Sequence, residues 1–465
     1  MTVTGDTKIK VPHVVRGELV WGEDLEYASR DFGVPFVTPA LTFNDLFVPR
    51  GTPSPSAEVP VAEIIDLLVE TGNRLELPTN PYLQESLEMT AQVSALPRRI
   101  LENTYRRPGQ FLTKEALTYR LERTFGSIDV LDRWVDYTDP VGNTSRVRAT
   151  PPRLVHMLAG NSPSGAMMSI ADGALVKAVN LYKLPSGDPF TAIACLRTMN
   201  DVAPNHPVLQ AISAVYWRGG DASVEGVLYR SQFFDKLVAW GGGAAIENAA
   251  RYIGPGFQLI SFDPKVSMAM VGAEAFDATV DLSEIAELAA LDATVYNQDA
   301  CVAARHIYVE GTLEQVDAFC ELLHEHLGHD REFASAVGPK PPAEVRDAVD
   351  GMRFLEPDYR IWGSFDGRGL VVRSPEPVTF HPAGKTVNVV PVASLDEAVG
   401  FATVATQTVG VYPAQRKAAV RDRLAAAGVQ RVITLGGALR NSMGSPHDAM
   451  YPLHRMVNWV VDDDA

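Results

Sequence analysis

From residue 153 onward, short apolar runs alternate with longer stretches whose apolar residues fall at helical spacing. RLVHMLA (153–159) reads as a strand, GNSPSG (160–165) as a turn and AMMSIADGALVKAV as a helix. NLYKLP (180–185), AISAVYWRGGD (211–221) and DKLVAW (235–240) read as further strands, with DPFTAIACLRTMNDV a helix and GGGAAIENAARYI a glycine turn entering another. A second series follows, in which KVSMAMVG, RHIYVEG, KTVNVVPVA, VGVYP and QRVITLG are strands. LSEIAELAALDA, TLEQVDAFCELLHEHL, SLDEAVGFAT and AQRKAAVRDRLAAAG are the helices between them, the third opened by a Ser394–Glu397 capping box. Strands that are apolar throughout and alternate with helices imply parallel sheets covered on both faces. The pattern predicts two α/β domains with a break near 264–275.

The first 150 residues are different in kind. Residues 1–60 hold short, Pro-punctuated segments that predict brief strands and turns, with 50–60 as a surface loop. Residues 60–125 show helical spacing, and 129–153 predict a hairpin or extended arm.

Charge and composition narrow the classes. A net charge of −16 argues against nucleic acid, whose phosphates need neutralising. It leaves room for an anionic cofactor held by local cations and backbone amides. No apolar run is long enough for a membrane span, and the start lacks an apolar signal core, so a cytoplasmic protein is expected. Three cysteines do not suggest a disulfide framework.

Those cysteines are not equivalent. Cys195 shares a helical face with Ala192, Met199 and Val202, and Cys320 with Val316, Leu323 and Leu327, so both read as core. Cys301 closes the polar run NQDAC at the start of an apolar element. It is either a small buried residue or a nucleophile, and Arg305 or His306 would be the cation that favours its thiolate. HEHLGHD (324–330) superficially resembles a metalloprotease helix, but His324 and His326 are two apart and share no face. It reads as a solvated helix end, and no metal site is expected. WGGGAAI (240–246) fails the GxGxxG fingerprint at Ile246, so by itself it is either a tight turn or a phosphate cradle. Lys183 by itself is a solvated strand end or a ribose contact.

GNSPSG, KLPSGDPF, VYWRGGD, VAWGGGAAI, NQDAC and GSPHDAM occur in one order over roughly residues 10–460. Together they resemble the acyl-CoA reductase (LuxC-like) branch of the aldehyde dehydrogenase superfamily. The resemblance implies an α/β, aldehyde-dehydrogenase-like fold: a Rossmann-type cofactor domain plus an α/β catalytic domain with an oligomerisation arm. On this sequence that gives a nucleotide-binding domain at 1–128 and 151–265. The bridging arm falls at 129–150 and 437–465, and the catalytic domain at 266–436. It implies that Cys301 is the catalytic thiol and Asn161 an oxyanion donor. Lys183 would contact the adenosine ribose, and Trp240, Gly241 and Gly242 would form the turn beside nicotinamide and pyrophosphate. Ser186 stands where many NAD-dependent members carry a ribose-gripping glutamate, which points to NADPH, with NADH the alternative.

Departures from the family pattern matter as well. Ser261 stands where aldehyde-oxidising members have their glutamate base, so water activation is not expected. TFHPAG replaces the usual acidic stretch, which leaves His381 a candidate substitute; His447 and Asp448, in GSPHDAM, read as a structural turn or as a carbonyl-placing pair. The implied reaction is NADPH-dependent reduction of an acyl-CoA or acyl-carrier-protein thioester to an aldehyde through a Cys301 acyl-enzyme. The rivals are an NAD(P)-dependent aldehyde dehydrogenase and a non-catalytic nucleotide-binding relative. A homodimer or homotetramer is the expected assembly.

Overall fold

The computed structural model describes residues 8–440 and 442–463. The chain divides into two compact units, Met1–Asp263 with Met443–Ala465, and Pro264–Ser442.

The first unit is built on a seven-stranded sheet. Its parallel strands are β1 (Arg153–Met157), β2 (Val179–Lys183), β3 (Ile212–Val215), β4 (Lys236–Trp240) and β5 (Gln258–Phe262), in the spatial order β5-β4-β1-β2-β3. His13–Val15 and Glu18–Val20 extend the β3 edge in antiparallel fashion. The order reverses between β1 and β4, so their ends diverge into a crevice on the carboxyl side of the strands. Leu154, Val155, Leu181, Val215, Leu237 and Val238 are fully buried, the two-sided burial that their unbroken apolar runs require.

Helix α1 (Pro163–Leu175) begins earlier than the sequence pattern suggested, because Pro163 is suited to the first helical position, where no backbone N–H is needed. Helices α2 (Thr191–Val202) and α3 (Gly243–Ala250) follow β2 and β4. A separate three-stranded sheet pairs Thr144–Thr150 with Val135–Thr138 and with Asn458–Asp463. Lys236 fastens the C-terminal segment to β4, donating to the carbonyls of Arg455 (2.7 Å) and Val457 (2.6 Å).

The second unit holds another seven-stranded sheet. Its strands are β6 (Val266–Val271), β7 (Ala304–Glu310), β8 (Arg360–Gly363), β9 (Leu370–Arg373), β10 (Thr386–Val392), β11 (Thr406–Tyr412) and β12 (Arg431–Thr434). They lie in the order β8-β9-β10-β7-β6-β11-β12, with only the β8 edge antiparallel. Helices α4 (Leu282–Ala293) and α5 (Leu313–Leu327) cover one face. Cys320 lies in that core and Cys195 in the core of the first unit, and burial pushes both thiols up, far from any reactive range. The Ser394 hydroxyl accepts from Glu397 N as a capping box requires, but the Glu397 carboxylate reaches Ala393 N rather than Ser394 N. Among the described residues no helix is long and apolar enough to cross a membrane.

Candidate active site

In the first unit, the chemistry-bearing residues lie at the carboxyl ends of the parallel strands. Asn161, partly buried, follows β1. Lys183 closes β2 and Ser186 lies in the turn after it. Gly160 and Gly187 bring these two turns together: a Cβ on Gly187 would lie 3.1 Å from the Gly160 carbonyl oxygen.

The Lys183 ammonium lies 5.5 Å from the Trp217 ring centroid and 6.0 Å from that of Tyr216. Burial pushes its pKa down to about 8, against the attraction of the Glu225 carboxylate. Glu225 is itself buried and accepts from Gly220 N (3.0 Å), Trp217 Nε1 (3.4 Å) and Asn248 Nδ2 (2.7 Å). Burial pushes the Tyr216 phenol up to about 12, against a lowering influence of the Ser186 hydroxyl.

Trp240 ends β4 and stacks on Phe262 of β5 at 3.6 Å with an interplanar angle of 3°. The His447 ring packs edge-on against both, at 5.4 and 5.3 Å. His447 opens a tight turn closed by its bridge to Met450, with positive φ at Asp448 and Ala449. Gly242 caps α3, and the space a Cβ would occupy there is open. An open helix N-terminus fits a dinucleotide phosphate.

Cys301 is exposed, unlike the other two cysteines. It precedes β7, on the amino-terminal edge of the second sheet. The loop before it is strained: Tyr296, Asn297 and Gln298 all have positive φ, at 52°, 53° and 74°. Each of the three is pinned. Tyr296 N donates to Phe333 O (2.8 Å), the Asn297 side-chain oxygen accepts from Ser335 N (2.8 Å), and Gln298 Nε2 donates to Thr386 O (2.7 Å). Arg305, nearly buried, donates to Gln298 O (2.6 Å) and to Pro382 O, so it serves the loop backbone. Ser267 Oγ donates to the Cys301 carbonyl (2.7 Å) and accepts from Thr408 N (3.2 Å). His306 bonds Asn388, and burial lowers its pKa; His381 is also lowered, by burial and then by the charges of Arg305 and His306.

The acyl-CoA reductase (LuxC) family model matches residues 56–459. The chain belongs to this family. It is 32% identical over 356 residues to the long-chain acyl-protein thioester reductase of Vibrio harveyi, covering 75% of this chain and 71% of that protein. It is 30% identical over 344 residues to the enzyme so named from Photorhabdus laumondii, covering 73% and 69%. The fold is that of aldehyde dehydrogenases. NADP-dependent glyceraldehyde-3-phosphate dehydrogenase from Bacillus halodurans superposes with a TM-score of 0.71 at 15% identity, covering 98% of this chain and all of that one. NAD-dependent benzaldehyde dehydrogenase from Corynebacterium glutamicum gives 0.71 at 14%, covering both chains completely.

As an acyl-CoA reductase of this family the protein is an oxidoreductase, and the structure adds a residue that its sequence did not single out. Burial lowers the Arg431 guanidinium, while the charges of Asp292 and of the Cys301 thiolate hold it up. Arg431 also donates to Ala438 O (2.8 Å) and Gly437 O (3.2 Å), and Asp292 accepts from Gly436 N and Ala438 N, both at 2.8 Å. Val295, Ala303 and Ala438 form one buried cluster, so the thiol loop and the turn that Arg431 braces pack together. A cation in this position favours the thiolate. No spacing rule could have found it, since Arg431 starts a strand 130 residues downstream of Cys301. Arg431→Gln is expected to move the midpoint of the pH profile for iodoacetamide labelling of Cys301 upward.

Proposed function

We propose that this acyl-CoA reductase converts a long-chain acyl thioester to the aldehyde, with NADPH as reductant. One observation supports it most: of three cysteines only Cys301 is exposed, on a pinned loop, in a chain matched by the family model over 56–459. The Cys301 thiolate attacks the thioester carbonyl. The family resemblance assigns the oxyanion donors to the Asn161 side-chain amide and the Cys301 backbone N–H. Its collapse expels the carrier thiolate and leaves the acyl group on sulfur. When bound, the nicotinamide cofactor would supply the hydride that reduces this acyl group. The resulting thiohemiacetal anion re-forms its C=O bond as its C–S bond breaks, which frees the aldehyde and restores the Cys301 thiolate. Ser261, in β5, offers no carboxylate to activate water, so hydrolysis does not compete.

Lys183, Ser186, Trp240, Gly241 and Gly242 would hold the cofactor. The lysine ammonium and the lack of a carboxylate at Ser186 suit a 2′-phosphate, and Arg218, whose charge reaches Tyr216, adds to the field. The ammonium form of Lys183 is lost as pH rises through about 8, so NADPH affinity should fall above that pH in the free enzyme. NADH affinity should change much less, which a pH series of dissociation constants for both nucleotides checks. The exposed apolar residues Trp459, Val460 and Val461, on the strand paired with Thr144–Thr150, support a homodimer or homotetramer formed through this arm.

An acyl-CoA series of rising chain length, assayed for NADPH consumption and aldehyde release, tests the proposal. Activity should grow with chain length. Carboxylate formed from aldehyde and NADP⁺ without CoA would instead favour a hydrolytic dehydrogenase.

A further inference from the structure

The segment HEHLGHD does not form a metalloprotease pair, since His324 and His326 lie on different sides of α5. The end of α5 nevertheless brings His326 and His329, three positions apart, against Glu287 of α4. His326 Nδ1 lies 2.9 Å from Glu287 Oε2. His329 Nδ1 lies 3.8 Å from the same oxygen and 3.4 Å from His326 Nδ1. The circle through these three atoms has a radius of about 2.0 Å, the bond length of zinc to imidazole nitrogen or carboxylate oxygen. A point therefore exists that sits at ligand distance from all three donors without rearrangement.

We propose that Glu287, His326 and His329 form a binding site for a first-row divalent cation of zinc type, outside the thioester chemistry. Two further features fit. His326 Nε2 lies 2.9 Å from Ser283 Oγ, a bond that leaves the Nδ1 lone pair turned to the site when Nε2 carries the proton. His329, half exposed, also lines an open groove of about 520 Å³ with His324, Gly363 and Asp366, from which water can supply the fourth ligand. Two imidazoles and a carboxylate select zinc, nickel, cobalt or copper over magnesium and calcium.

One neighbour opposes the cation. Arg331 donates from Nε to Glu287 Oε1 (3.1 Å) and from Nη2 to Oε2 (2.6 Å), so its charge competes for the same carboxylate. The site is accordingly weaker than a closed structural zinc centre, and Arg331→Gln should tighten it.

The test is calorimetric titration of Zn²⁺ into the full chain carrying Cys301→Ser, which removes the exposed thiol as a competing ligand. Co²⁺ absorption serves as a second readout. The expected result is one saturable equivalent with micromolar affinity, weakened at least about tenfold by His329→Ala and by Glu287→Gln. The first of these replaces a half-exposed side chain, so loss of the fold does not confound it. No saturable equivalent, or binding unchanged in His329→Ala, overturns the proposal.

Discussion

Cys301→Ser is expected to lower thioester reduction by about four orders of magnitude or more. A serine hydroxyl is a poor nucleophile at neutral pH, because so little of it is ionised compared with a thiol. The residues assigned to the cofactor belong to the other unit, so NADPH binding should be retained with an unchanged dissociation constant. Nucleotide titration beside single-turnover aldehyde release measures both quantities. Reduction at a tenth of the wild-type rate or better would remove Cys301 from the chemistry.

Asn161→Ala carries the second-largest expected effect. Removing one preorganised donor to a developing oxyanion costs on the order of 10²–10³ in rate. The loss should fall on the acylation step, and the affinity for NADPH should stay the same. Asn161→Asp should be no better, since a carboxylate repels the oxyanion. Rapid-quench measurement of acyl transfer to Cys301 gives the step directly. A loss under about threefold would show that Asn161 plays no part in stabilising the oxyanion.

The order of strands and helices was legible because its signal is local. Continuous apolar runs such as LVA in Lys236–Trp240 and IYV in Ala304–Glu310 fit strands buried on both faces, and the structure buries every residue of both runs. The strands that escaped notice have weaker signals. Gln258–Phe262 alternates at a sheet edge, and Arg360–Gly363 and Leu370–Arg373 are only four residues each, set among turns. Cys301 was readable as a candidate from its polar run, yet its exposure was not, because exposure depends on the loop that Arg305, Gln298 and Asn297 pin from distant parts of the chain. The sequence places Arg305 and His306 as the candidate cations near it, whereas Arg431 lies in electrostatic reach through the packing of two separate segments. The association of His447 with Trp240 and Phe262 was hidden for the same reason, since the three residues are brought together only by the fold.

The most direct test of the covalent mechanism is intact-protein and peptide mass spectrometry after mixing the enzyme with a long-chain acyl-CoA in the absence of NADPH. The account predicts one acyl group per chain, on the peptide containing Cys301, discharged as aldehyde when NADPH is added. An enzyme that turns over while never carrying that adduct, or carries it on a residue other than Cys301, would contradict it.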